Sequence, residues 1–211
     1  MGKREDNRKQ RFEAIHSAAF GIVRSSGVEA LTIQRLAKEM NWALGSIYRY
    51  YPSKEALLMG LELHAVHRVV AVLLEQLEEP LSPVQQLRAL ASKYGSLADE
   101  LPEEFALVCL MLGDPRPHLP QESGEEVMNR VTPFLERVSR VFAQADTAGD
   151  LTIPDPMDAT LQFWMAIHGA TRLEKLRRFD PERFESRRLV HQVAETLLQG
   201  WRLAPPSTEE N

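Results

Sequence analysis

The sequence predicts an all-α fold of about nine helices. Three observations carry that expectation. Apolar residues recur at helical spacing along most of the chain, and no stretch alternates as a strand would. Start and stop signals punctuate the periodic stretches, among them Pro52, Pro80, Ser82-Pro83 and Pro181. The makeup, 44% hydrophobic and 26% charged over 211 residues, is that of a globular protein with one or two real cores.

Taken in order, Met1 to Arg11 holds Lys3, Arg4, Arg8, Lys9 and Arg11 and reads as a mobile basic arm. Phe12, Ile15, Ala18, Ala19, Ile22 and Val23 form the stripe of a first helix, ended by Gly27. Ile33, Leu36, Ala37 and Met40 fall at i, i+3, i+4 and i+7, one face of a short second helix, with Thr32 placed to cap it. Asn41-Trp42-Ala43 breaks the pattern, and Asn tolerates the left-handed backbone that ends helices. A third short helix follows, with Leu44, Ile47, Tyr48 and Tyr51 inward and Gly45, Ser46, Arg49 and Tyr50 outward. Ser53 caps the next helix, expected from Lys54 to about Glu79 and apolar nearly all round.

Beyond it, helices are expected over 84–101, 103–112, 124–145, 158–179 and 182–201, with Pro133 a kink. Loops separate them near 113–121, where three prolines stand, and near 148–156. Residues 204–211 read as a disordered tail.

Two short helices joined by a three-residue turn make a helix-turn-helix, whose second helix enters the DNA major groove. There Gly45 would admit a close approach, Ser46 would donate or accept, and Arg49 has the fork that reads guanine. An ordinary helical hairpin with a solvated face would share this periodicity. Charge favours the DNA reading. The net charge is −5, but residues 1–54 carry ten Lys and Arg against five Asp and Glu, so the remainder is strongly acidic. A basic head on an acidic body is the footprint of nucleic-acid binding.

The run LTIQRLAKEM, then LGSIYRYYPSKEALL, closely resembles the DNA-binding signature of the TetR family of bacterial regulators, over about Ile15 to Leu58. Two features depart from that pattern: Asn41-Trp42 stands where Gly-Val is common, and Ala43 replaces a Ser or Thr cap. Loss of the cap costs on the order of 1 kcal/mol of helix stability. The resemblance implies a three-helix, homeodomain-like head over residues 1–54 and a ligand-binding and dimerisation body over 55–203. It implies that Gln34, Leu44, Gly45, Ser46 and Arg49 face bases, while Thr32, Tyr48, Tyr50 and Lys54 meet phosphates. The expected partners are double-stranded operator DNA, a second copy of the chain and a small apolar ligand, in a bacterial cytoplasm.

In the body, Trp164-x3-His168-Gly169 resembles a motif of many TetR-type bodies. In that family the last two long helices pair with their symmetry mates, which places Gly169, Ala170, Val190, Val193, Ala194, Leu197 and Trp201 at a homodimer interface. The same resemblance implies a pocket lined by Leu73, Tyr94, Phe105, Cys109, Met111, Trp164, Met165 and His168, each of which would serve equally as plain core.

Other chemistry finds little support. His64 and His67 lie at i, i+3, but no Cys or carboxylate accompanies them at ligand spacing, so no metal and no cofactor are expected. A helical-bundle enzyme would need paired Glu-x-x-His motifs, and none is visible. A helix-turn-helix kept as a protein-interaction module is the other alternative. Cys109 is the single cysteine, which allows no internal disulfide and fits a reducing compartment. The polar N-terminus argues against a secretory signal, and no apolar run reaches the roughly 18 residues of a membrane span.

Overall fold

A computed structural model describes residues 3–113 and 121–203. Among them there are nine α-helices and no strands. The proline-rich stretch after Gly113 and the tail from residue 204 lie outside the described residues.

The helices are α1 (Lys3–Ser26), α2 (Ile33–Glu39), α3 (Leu44–Tyr48), α4 (Lys54–Glu75), α5 (Pro83–Glu100), α6 (Pro102–Gly113), α7 (Gln121–Thr147), α8 (Pro156–Thr171) and α9 (Ser186–Leu203). The chain divides into two compact units. One comprises the residues up to His67 with Pro102–Val127, the other Arg68–Leu101 with the residues from Met128 onward. The division therefore falls inside α4 and α7, not at residue 54, where the sequence separates head from body.

In the first unit, α1 packs against α2, α6 and a 3-10 turn, Val28–Ala30. Ile15, Phe20, Leu31, Leu36, Ile47, Leu57, Leu61 and Leu107 close the core. Thr32 caps α2 as expected, accepting from the Arg35 amide at 3.0 Å. Asn41 takes the left-handed backbone, with φ 52°. Helix α1 begins far earlier than its apolar stripe, so the expected basic arm is helical from Lys3 onward. Arg8 and Arg11 are held there by rings: Arg8 lies over Phe12 at 5.6 Å and Arg11 over Trp42 at 5.8 Å.

In the second unit, α9 packs on both α5 and α8. Ser82 and Gln85 form a reciprocal capping box at the start of α5. Helices α5 and α9 approach closely at Gly95, where a Cβ would stand 3.3 Å from the Arg187 backbone. Phe142 and Phe163 fill the core edge to face at 5.7 Å, and Trp201 closes on Phe142 at 5.4 Å.

Two body helices differ from expectation. Helix α8 stops at Thr171, not near Phe179. The Thr171 hydroxyl donates to the His168 carbonyl at 2.7 Å, and the chain tightens into a 3-10 segment, Arg172–Leu176. Leu173 and Phe179, which prolong the apolar period in sequence, are exposed. Helix α9 begins only at Ser186, where the Glu185 carboxylate accepts from the amides of Arg187 and Arg188.

Helix α4 is long and apolar enough, by length and composition alone, to cross a membrane, contrary to the sequence expectation. Its residues Leu57, Leu61, Ala65, Val69 and Leu73 are core positions.

Candidate functional site

Helix α3 has five residues, too few to hold itself in water. Ala43, at its N-cap, makes no side-chain cap. Tertiary contacts do the holding instead. Ile47 is fully buried and Tyr51 nearly so. Tyr50 stands edge-on to Phe12 at 5.0 Å, and Tyr51 edge-on to the same ring at 5.9 Å. The Tyr51 hydroxyl pairs with His16 Nε2 at 2.5 Å, and His16 packs edge to face on His64 at 4.6 Å.

Within this cluster His16 and Tyr51 are held toward their neutral forms. Burial, with His64 second, pushes His16 down to about 4. Burial pushes Tyr51 up to about 12. Gly60 makes room for it: a Cβ there would lie 2.6 Å from the Tyr51 ring. Periodicity alone gives no sign of His16, Gly60 or the polar role of Tyr51.

The face left outward is short and mixed. Gly45 and Arg49 are exposed and Ser46 half-buried, with Arg49 Nη2 reaching Ser46 Oγ at 3.5 Å. Nothing lies within 4 Å of a Cβ built at Gly45, so the chain's own packing does not require glycine there. Leu44 and Tyr48, assigned inward by periodicity, are 40% and 46% exposed and join the outward set. Tyr50, assigned outward, is half-buried against Phe12 and presents only part of its surface. Thr32 and Gln34 are exposed at the start of α2. Lys54 opens α4, tied to Glu29 by an ion pair of 3.7 Å and to the Glu29 carbonyl at 3.4 Å. The short helix, its fixed seat and its exposed Arg suit a groove-reading element.

Residues 15–60 match the profile of bacterial regulatory proteins of the tetR family. Residues 87–197 match that of the tetracyclin repressor-like C-terminal domain, and this second match spans more than half the chain. The chain belongs to the TetR family.

Solved structures agree on the fold. A protein of unknown function from Rhodococcus sp. RHA1 superposes with a TM-score of 0.74 at 23% identity, covering 90% of this chain and 95% of that one. FadR from Bacillus subtilis, in complex with stearoyl-CoA, gives 0.72 at 18%, covering 90% and 98%. PfmR from Thermus thermophilus gives 0.69 at 19%, covering 90% and 99%. No curated protein sequence matches. As a TetR-family member the chain is a helix-turn-helix transcriptional regulator, of a family whose members bind DNA and small molecules.

The regulator's second unit holds a cavity of about 20 Å³ with a mostly apolar lining that includes Leu73, Leu90, Tyr94, Thr160, Phe163 and Trp164. That volume holds roughly one water. His168 bonds to one of its lining residues: its Nδ1 pairs with the Tyr94 hydroxyl at 2.8 Å, its buried Nε2 has no partner among the described residues, and burial lowers its pKa. Of the pocket residues expected from sequence, Leu73, Tyr94 and Trp164 line this cavity. Met165 does not; it is 61% exposed, because the buried face of α8 is Ala159, Thr160, Phe163 and Ile167. Phe105, Cys109 and Met111 lie on α6 in the first unit and are not part of this lining.

The expected interface residues also divide. Val190 and Ala194 are buried against their own chain, Val190 packing beneath Gly95 of α5, and so leave the interface set. Trp201 is half-buried and spent largely on Phe142. Gly169 is exposed, and Ala170, Val193 and Leu197 are half-buried. Among the described residues no group of three or more His, Cys, Asp or Glu is arranged to hold a metal. His64 meets His16 and Phe20 instead.

Proposed function

We propose that the chain is a ligand-responsive repressor, working in the bacterial cytoplasm, that binds a palindromic operator as a homodimer. The observation that carries this reading is the outward edge of exposed Gly45 and Arg49 with half-buried Ser46, on a helix seated by Ile47 and Tyr51. Ser46 and Arg49 read base edges, with Gln34 and Leu44 beside them; Thr32, Tyr48 and Lys54 hold phosphates, with Tyr50 contributing its exposed edge. Replacing Arg49 with Ala costs about 1–3 kcal/mol of operator binding, roughly fivefold to 150-fold in Kd, and relaxes the choice of base. Unchanged affinity in a fluorescence-anisotropy titration removes Arg49 from the base-reading set.

One head reads too few base pairs, and a two-fold pair meets successive major grooves roughly 34–36 Å apart. The pairing surface we assign is the outer side of α8 and α9: Met165, Gly169 and Ala170 with Val193 and Leu197. Met165, at 61% exposure, is a large apolar side chain that such a surface would cover. Sedimentation gives twice the chain mass if this holds.

The effector is a small apolar molecule entering the cavity between Leu73 and Trp164, with Tyr94 and His168 supplying the polar contact. At about 20 Å³ the cavity must open to receive it. Leu73 belongs to α4, the same helix that begins at Lys54. A ligand that shifts α4 changes head spacing and weakens DNA binding by its differential affinity for the two states.

A further inference from the structure

A second cavity, of about 90 Å³, lies wholly within the first unit, between the 3-10 turn, the start of α4 and the end of α6. Val28, Leu58, Leu107 and Met111 give it apolar walls. One side chain in the lining is out of place. Glu62 is 4% exposed, and among the described residues its buried Oε2 has no hydrogen-bond partner. Its fellow lining residues from α4 are Lys54 and Leu58. The other charged groups lining the cavity are Glu29 and Lys54, and those two pair with each other. Lys54 is thereby spoken for, and the α6 lining, Leu107, Leu110 and Met111, has nothing that titrates.

A buried carboxyl without a partner is costly, and proteins keep such groups where something completes them. The group that completes this one must bring hydrogen-bond donors, fit apolar walls and tolerate a negative charge, which excludes anions. We propose that the cavity is an effector site in the DNA-binding unit for a short primary alkylammonium, whose nitrogen pairs with Glu62 and whose tail fills the space between Leu58 and Leu107. Size bounds the tail: a cavity of about 150 Å³ takes benzene, so about 90 Å³ takes roughly four carbons beside the nitrogen. A charge-assisted bond in a dry site outweighs what a neutral donor of the same size would gain.

Burial holds Glu62 up at about 7, so below that pH it is a carboxylic acid. An incoming ammonium makes the carboxylate the favoured form, and the acid's proton leaves to the buffer, one per ligand. Above about 8 the carboxylate is already formed and no proton is released. Because the walls include Val28 of the turn before α2, and Lys54 lies in the same lining, occupancy bears directly on the DNA-facing elements. The site is separate from the body cavity, and its occupancy is measured on the free protein, so its failure leaves the repressor reading untouched.

The test is calorimetric titration of the intact chain with n-butylammonium chloride at pH 6 and pH 8.5, each in two buffers of different ionisation enthalpy. Saturable one-to-one binding is expected, with one proton released at pH 6 and none at pH 8.5. Glu62→Gln, which keeps the shape, should weaken butylammonium at least tenfold while leaving the melting transition cooperative. Leu110→Trp, filling the cavity from its rim, should abolish binding by an independent route. The absence of saturation, equal affinity in the Gln variant, or butan-1-ol binding as tightly as butylammonium each overturns the proposal.

Discussion

The two units weight polar groups differently. In the first, burial pushes His16, Tyr51 and Glu62 toward their neutral forms around the seat of α3 and the start of α4. The second holds one such pair inside, Tyr94 with His168, and sets two-membered ion pairs nearer its surface. Arg88 grips Glu195 with two bonds, of 2.6 and 3.0 Å, and Arg187 meets Asp99 at 2.6 Å. Beneath them the core is rings and branched aliphatics. The contrast follows from size of element. Helices of seven and five residues cannot bury enough apolar surface to fix a recognition edge. A bonded aromatic–imidazole cluster fixes it by direction as well as by area. The body's longer helices are fixed mostly by area, with the Tyr94–His168 bond a directed contact between α5 and α8.

The largest expected effect breaks the body. Phe142 is fully buried between Phe163 and Trp201. Phe142→Ala removes a ring that three helices share and should cost about 3–5 kcal/mol of stability, read by denaturant unfolding. A cost under about 1 kcal/mol would mean that the second unit does not depend on this cluster.

Next come the two glycines at close approaches, one in each unit. A Cβ at Gly60 meets the Tyr51 ring at 2.6 Å, and that ring is pinned by His16 and Phe12. Gly60→Ala should cost about 1–3 kcal/mol and weaken DNA binding along with stability, because it displaces the seat of α3. A Cβ at Gly95 meets Arg187 and Val190 no closer than 3.3 Å. Gly95→Ala should therefore cost less, and it should leave DNA binding alone. Equal losses from both would erase the distinction between a directed seat and an area-held core.

Much of the first unit is legible in the sequence. Thr32 as a cap, Asn41 as a left-handed stop and Ser53 before α4 are local chemistry, readable without tertiary knowledge. Leu44 and Tyr48 mislead because two turns of helix contain too few residues to fix the phase of a period. The end of α8 misleads for the converse reason. Leu173, Leu176 and Phe179 keep the spacing, yet the Thr171 hydroxyl has already turned the chain. The body cavity is legible in part. Leu73, Tyr94 and Trp164, expected from the resemblance, line it, while Met165 and Cys109 do not, and periodicity cannot say which apolar residues of α6 and α8 face a void, a neighbour or solvent. One further signal stands in the sequence. Glu62 is the sole carboxylate between Glu55 and Glu75 of a largely apolar helix.

A pH experiment sharpens the comparison at smaller amplitude. His16 folds with its pKa lowered from 6.5 to about 4. Its contribution to stability is thus complete above about 6.5 and is lost as pH falls toward 4, because the unfolded chain binds the proton more readily. Glu62, raised to about 7, works in the opposite sense: its contribution is present below about 4.5 and lost as pH rises through 7. The two offset each other between about 4.5 and 6.5, which hides both from a wild-type melting curve. Comparing the chain with His16→Gln should uncover the first: the melting temperatures should lie furthest apart at pH 7.5 and converge by pH 5. A gap that widens in acid would mean that His16 is charged in the folded head.

The smallest effect is expected from the paired charges of the second unit. Arg88 and Glu195 are partly solvated, at 38% and 22% side-chain exposure, so water competes for the pair. Each ion's pKa moves toward its charged form, chiefly through their mutual hydrogen bond. A bidentate fork still fixes geometry, and a double-mutant cycle with Arg88→Met and Glu195→Gln should give a coupling of about 0.5–1 kcal/mol that shrinks with added salt. A coupling above about 3 kcal/mol, insensitive to salt, would place this pair among the buried determinants of the fold. The body would then depend on directed polar contacts as the head does, and the difference in helix length would no longer explain the difference in chemistry.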